Sequence, residues 1–242
     1  MNLVPGGPFL SEKAISPAAT KALEAKYGLD KPMAERYFTY ISDAAHGDFG
    51  DSLKQRGRTV MDIIATKFPV SAKLGGMAVI LALCVGVPLG VLAAYKRGTF
   101  IDSLFSVIAT CGIAVPGFVI CTLLLYVFGV KLQWLPTLGL KNAQSYIMPV
   151  VALAAYPTSY IMRLMRSSML DVLGQDYMRT AKAKGLSQKV SLFKHALRNA
   201  ILPVITYVGP MLAYTLTGSF VTEKIFTIPG LGGEFIKAIN GR

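Results

Sequence analysis

The sequence predicts an all-α integral membrane protein, a polytopic helical bundle with an external N-terminal region. Three observations carry that prediction. Of its 242 residues, 53% are hydrophobic and only 16% are charged, and the mean hydropathy is +0.50; that balance excludes a disordered chain and is unlike an ordinary soluble domain. Four charge-free runs, Leu74 to Tyr95 (22 residues), Ser103 to Val130 (28), Asn142 to Met162 (21) and Asn199 to Thr222 (24), are each long enough to cross about 30 Å of hydrocarbon as a helix. Four buried helices of a large soluble core are a poor alternative, because such helices rarely run so far without a solvated charged face.

Residues 1 to 68 precede the first run and form a mixed-charge extramembrane region with nine basic and eight acidic residues. Ser16-Pro17 suits a helix start, with Ala18 to Tyr27 as its body and Gly28 as its stop. A second helix is expected over Pro32 to Ile41. His46 has no second histidine or cysteine nearby, so a metal site there is not expected. Residues 69 to 242 then form one membrane domain.

The third observation sets orientation. Arg163 to Arg198 holds eight Lys and Arg residues against Asp171 and Asp176, a net +6, which by the positive-inside rule makes it the cytoplasmic loop. The turn Lys96-Arg97-Gly98 falls on the same side, and the loop from Lys131 to Lys141 with Trp134 on the other. The overall charge of +12 therefore reads as membrane topology rather than nucleic-acid binding. Cys84, Cys111 and Cys121 all lie within apolar runs, where a thiol serves as a small packing residue.

The chain contains no Gly-Lys pair and hence no phosphate-binding P-loop. It has no His-Glu-x-x-His, Cys-x-x-Cys or Gly-x-Ser-x-Gly. Between Leu74 and Thr222 its only acidic residues, Asp102, Asp171 and Asp176, are expected at loops. A proton-coupled carrier or an intramembrane enzyme needs a titratable group at membrane depth, so a secondary carrier and an integral-membrane enzyme or scaffold are the weaker alternatives. The apolar runs do contain helix-bending residues: Pro88, Pro116-Gly117, Pro149, Pro157, Pro203 and Pro210. Kinked helices lining a translocation path are one reading, and the ordinary abundance of proline in membrane helices is the other.

Within the basic loop, residues 176 to 184 have helix-forming composition and stop at Gly185, after which Ser187 can cap a second helix leading into the next run. A short rigid helix across the cytoplasmic face suits a lever gripped by a partner. A basic loop resting on anionic lipid is the blander reading.

Here Arg179-Thr180-Ala181-Lys182-Ala183-Lys184-Gly185 resembles the Glu-Ala-Ala-x-x-x-Gly loop of ABC-transporter permease subunits. The longer string Gly174-Gln175-Asp176-Tyr177-Met178-Arg179, with His195-Ala196-Leu197-Arg198-Asn199-Ala200 downstream, is similar to the dipeptide and oligopeptide branch. Similarities also occur at Pro5-Gly6-Gly7-Pro8, Tyr27 to Pro32, Gly47-Asp48-Phe49-Gly50, Pro88-Leu89-Gly90, Trp134-Leu135-Pro136 and Pro229-Gly230-Leu231-Gly232, so essentially the whole chain is covered. The loop departs from the family pattern at Arg179, in place of Glu, and at Thr180, in place of Ala.

The resemblance implies a channel-forming subunit of an ATP-driven peptide importer, without enzymatic activity of its own, in the cytoplasmic membrane of a prokaryote. It implies a second related permease, two cytoplasmic ATPase subunits that hold ATP and Mg, and an external peptide-binding protein. No cofactor or metal is expected in this chain. The stretch around Asp176, Tyr177, Arg179, Thr180, Ala181, Lys182, Gly185 and His195 would be the coupling loop. Ala181 would be small for close approach to the ATPase, Gly185 would make the turn, and Arg179 and Lys182 would face acidic partner groups. Permeases of this branch have six spans, so the chain is expected to lack the first and last; oligopeptides are the expected cargo.

Overall fold

The computed structural model describes residues 28, 30–52, 55, 57–187 and 190–240. The expected helix over 18–27 lies outside them. Among the described residues the architecture is helical, with a single isolated antiparallel bridge between Asp51 and Thr59.

Helix α1, Met33–Ala45, starts at Pro32 and runs four residues beyond the expected Ile41. None of its residues is buried. Helix α2, Val60–Tyr95, begins well before the charge-free run because Thr59 and Asp62 form a reciprocal capping box that secures its first turn. At 36 residues it is about 54 Å long. Its buried positions include Ala78, Ala82, Gly86, Gly90 and Ala94, one small residue every fourth position. That spacing lays a groove along the helix into which a neighbouring backbone can press.

The neighbour is α5, Ile147–Leu173. A Cβ at Gly86 would sit 2.8 Å from the Thr158 carbonyl oxygen, and one at Gly90 would sit 2.6 Å from that of Met162. The two backbones therefore meet directly, and larger residues at either glycine would force the helices apart. Around this contact lies a core in which methionines 165, 169, 178 and 211 fill irregular gaps beside Val79, Val91 and Ile161. A second cluster, with Leu74, Cys121, Met148, Phe226 and Ile228, holds the other end of the bundle.

The expected continuous span over 103–130 is instead a bent pair. Helix α3, Phe100–Ala114, and α4, Gly117–Leu124, which continues as a π-helical turn Leu125–Lys131, meet at 102°. Pro116 causes the break: it lacks the N–H that would continue α3 and it drives Val115 into extended backbone at φ −75, ψ 124. The helix expected over 142–162 extends through the start of the basic loop to Leu173.

Helix α6, Asp176–Ala183, occupies the loop. Beyond Gly185 a helical stretch runs through Ser191–Ala196, α7 (Leu197–Ala200) and α8 (Leu202–Leu216). The last expected run stops at Leu216, where Gly218, at φ +99, turns the chain into the short α9, Phe220–Ile225. Helix α10, Leu231–Asn240, follows. By length and composition α2, α5 with its preceding turn, and α8 with α9 can each cross a membrane, and the bent pair makes a fourth crossing if taken as one span.

Candidate functional site

The basic loop is a compact helical corner. Helix α5 reaches Leu173, only Gly174 and Gln175 intervene, and α6 begins at Asp176. Met178 (1% exposed) and Ala181 (8%), three residues apart, turn inward from α6. Ala181, expected to be small for close approach of a partner, is buried against this chain.

The outward face carries Asp176, Arg179, Thr180, Ala183 and Lys184. Arg179 pairs with Asp176 at 3.5 Å, but both side chains are largely in solvent, at 79% and 94%, so the pair adds little stability and leaves the guanidinium available. Thr180 returns its hydroxyl to the Asp176 carbonyl at 3.1 Å. Lys182 belongs to the helix, and its side chain is not among those described.

Two interactions set the angle of α6. Asn199 Nδ2 donates to the Tyr177 hydroxyl at 2.9 Å and to the His195 carbonyl at 3.2 Å, bridging α6 to the start of the next membrane helix. The partly buried His195 contributes through this backbone carbonyl. Gly185 closes the helix at φ +76, a left-handed conformation that costs a residue with a Cβ about 1–2 kcal/mol. The Ser187 hydroxyl then accepts from the Val190 N–H at 3.5 Å, as expected of a cap.

The prolines are less uniform than the sequence suggests. Pro116 breaks its span, with Gly117 starting α4. Pro88, Pro157 and Pro210 sit inside continuous helices. Pro203 lies in the first turn of α8, where a missing N–H has no cost, so it starts that helix rather than bending it.

Asp102 and Asp171 differ from the expected loop placement, and Glu223 is buried as well. Asp102 is in the first turn of α3 and only 5% exposed. Its carboxylate accepts from Arg166 Nε at 2.6 Å, from Arg166 Nη2 at 2.8 Å and from the Gly98 N–H at 3.0 Å. Arg166 is thus a fork locking α5 to the turn before α3, not a free surface charge. Asp171 lies within α5. Glu223, just beyond the last charge-free run, is 1% exposed. It accepts from the Ser71 hydroxyl at 2.7 Å and from the Gly233 N–H at 3.0 Å, while Ser71 accepts from the Leu231 N–H at 2.8 Å. Together they cap the N-terminus of α10 from two other helices, where a negative charge is favoured. The two pairings join residues 64 and 152 positions apart, beyond the reach of local pattern. Among the described residues no cluster of His, Cys, Asp and Glu could hold a metal ion.

Against known proteins, residues 86–242 match the family model of the binding-protein-dependent transport system inner membrane component. The chain belongs to this family. The permease is 46% identical over 242 residues to the dipeptide transport system permease protein DppB of Bacillus subtilis, covering 100% of this chain and 79% of that protein. It is 43% identical to the oligopeptide transport system permease protein OppB of Salmonella typhimurium and 41% identical to that of Escherichia coli K12, covering 100% of this chain and 80% of each. A crystal structure of an amino acid ABC transporter has the same fold, with a TM-score of 0.53 at 18% identity over 75% of this chain and 81% of that one. The permease is therefore a multi-pass membrane component of a transport system, not an enzyme.

Proposed function

We propose that the permease is the channel-forming subunit of an ATP-driven importer that carries peptides, oligopeptides foremost, across the cytoplasmic membrane of a prokaryote. It pairs with a second related permease and receives cargo from an external peptide-binding protein. Two cytoplasmic ATPase subunits hold ATP and Mg and drive the cycle. Residues 163–198 face the cytoplasm, and the region before residue 69 faces outward.

The observation that carries the reading is the corner around α6. Its helix is exposed on one side, buried through Met178 and Ala181 on the other, tied to the next helix through Tyr177, and joined by two residues to a membrane-crossing helix. A rigid element held this way passes a push from a partner into α5 with little loss. Asp176, Arg179, Thr180 and Lys182 form the grip, Gly185 sets the turn, and Tyr177, Ala181 and His195 hold the helix to the bundle.

The test is copurification of the ATPase subunits with the permease, followed by peptide uptake in membranes carrying Gly185→Val. Loss of uptake together with weakened ATPase retention is expected. Normal assembly with normal uptake would remove the coupling assignment, and uptake that survives ATP depletion but collapses with the ion gradient would remove the ATP-driven reading.

A further inference from the structure

Helix α5 is packed by α2, α3 and α4 and touches α8, yet one of its faces stays open. On that face lie Tyr156, Tyr160, Arg163 and Ser167, within about 60° of one another around the helix. The adjoining face of α8 carries Pro203, Thr206, Tyr207, Pro210, Tyr214 and Thr217, none of them buried, within about 100°. The two faces join where the Tyr160 and Tyr207 rings meet at 4.4 Å, with Tyr156 stacked on Tyr160 at 6.3 Å. The result is one aromatic, hydroxylated seam across two membrane helices.

Depth makes the seam informative. Tyr156 lies about 9 Å inside the end of its charge-free run at Met162, and Tyr207 and Tyr214 each lie about 12 Å from the nearer end of the run Asn199 to Thr222, all within a slab about 30 Å thick. Tyrosine at a lipid-facing surface favours the headgroup level, where its hydroxyl meets water. Among the described residues, nothing hydrogen-bonds to the hydroxyls of Tyr156, Tyr160, Tyr207 or Tyr214. In hydrocarbon each would be an unmet polar group.

We propose that this seam is the permease's peptide-contacting surface, with Tyr156, Tyr160, Tyr207 and Tyr214 hydrogen-bonding the backbone of a peptide in transit. The inference rests on the peptide-importer reading and adds its substrate contacts. The chemistry of the seam identifies the occupant. A phenol both donates and accepts, which matches the alternating N–H and C=O of an extended chain, and its ring offers a face to whatever side chain follows. Between Tyr156 and Tyr160, and from Pro203 to Thr217, the sequence has no charged residue, and the one charge on the face, Arg163, lies beyond Tyr160 at its end, so the tyrosine-lined stretch does not select cargo by side-chain charge. Recognition of backbone rather than side chain suits a conduit for varied peptides.

The experiment places the photoreactive residue benzoylphenylalanine at position 160, 214 or, as a control on the opposite exposed face of α8, 205. Each variant is incorporated in the complete transporter in membranes energised with ATP. The probes are tritiated di-alanine and tri-alanine. Irradiation should label positions 160 and 214 with peptide several-fold above position 205, with the label competed by unlabelled peptide. Cross-links from 160 and 214 only to a companion permease, or only to lipid, would overturn the assignment. Uptake by the parent complex separates the two readings: no uptake of either peptide removes the importer reading itself, whereas uptake without peptide cross-links removes the seam alone. Tyr160→Phe, which keeps the ring, should raise the apparent KM for uptake about fivefold with little change in maximal rate; a change in rate alone would mark a structural role.

Discussion

Arg166→Ala should destabilise the permease more than Asp102→Ala, although the two side chains are partners in the same fork. The Asp102 side chain is 8% exposed and that of Arg166 31%. Removing arginine strands a carboxylate in the protein, with only the Gly98 N–H left to it at 3.0 Å. Removing aspartate strands an arginine whose long stem lets the guanidinium turn towards water. Breaking a fully buried pair costs about 3–5 kcal/mol; partial exposure of the arginine lowers this to about 3 kcal/mol for Arg166→Ala and about 2 for Asp102→Ala. For a chain of this length that corresponds to falls in melting temperature of about 6–12 °C and 4–8 °C. The assay is a heating series in detergent, scoring the monodisperse fraction by size exclusion, on both single variants and the double. The double variant should lose less than the sum of the singles, since one interaction cannot be lost twice. Equal losses from the two singles, or strict additivity, would refute the reasoning. Arg166→Lys should recover only part of the loss, because an ammonium cannot present the two-pronged contact at 2.6 and 2.8 Å.

Three other outcomes follow from the packing. Glu223→Gln turns an amide N–H₂ towards one of the two donors it now accepts from, at a cost of about 1–3 kcal/mol; amide exchange should accelerate in residues 227–240 before the rest of the bundle. Gly90→Val places branched carbon where a Cβ already comes within 2.6 Å of the Met162 carbonyl, and should lower stability by about 1–3 kcal/mol or more in the same heating assay, whereas Gly76→Ala, which meets open space, should be near neutral. Tyr177→Phe removes the hydrogen bond from Asn199, worth about 1 kcal/mol, and should reduce uptake more than it reduces ATPase retention, since the exposed grip is unchanged.

Particular residues show how much of this was legible. Charge-free runs located three helices able to cross a membrane and the bent pair, because desolvating a charge is costly, and Pro116 marked the break in that pair through its missing N–H. Gly185 announced the left-handed stop, and Ser187 the cap after it. Thr59 and Asp62 carry a capping box that would have moved the start of α2 ahead of its apolar run. The four-residue repeat from Ala78 to Ala94 is equally local, but it looks like ordinary apolar sequence unless residue size is tracked along with hydropathy. By contrast, Asp102 looks like a loop acid because Arg166, which binds it, is remote in sequence, and Glu223 is held by Ser71, equally remote. The inward turn of Ala181 is shown only by the fold. The seam tyrosines passed unremarked because their meaning depends on depth and on a neighbour from another helix.

Backbone contact between α2 and α5 also limits how the molecule can move. Interlocked side chains can hop rotamers and let two helices shear past each other, but a carbonyl seated against a glycine has no alternative rotamer. Sliding by one residue would drive the flanking bulk of α2 into the Thr158 and Met162 carbonyls. The pair is therefore held as a single stiff rod, and relative movement of helices is easier across breaks in the chain, such as Val115–Pro116, Gly174–Gln175 and Thr217–Ser219, than along this contact.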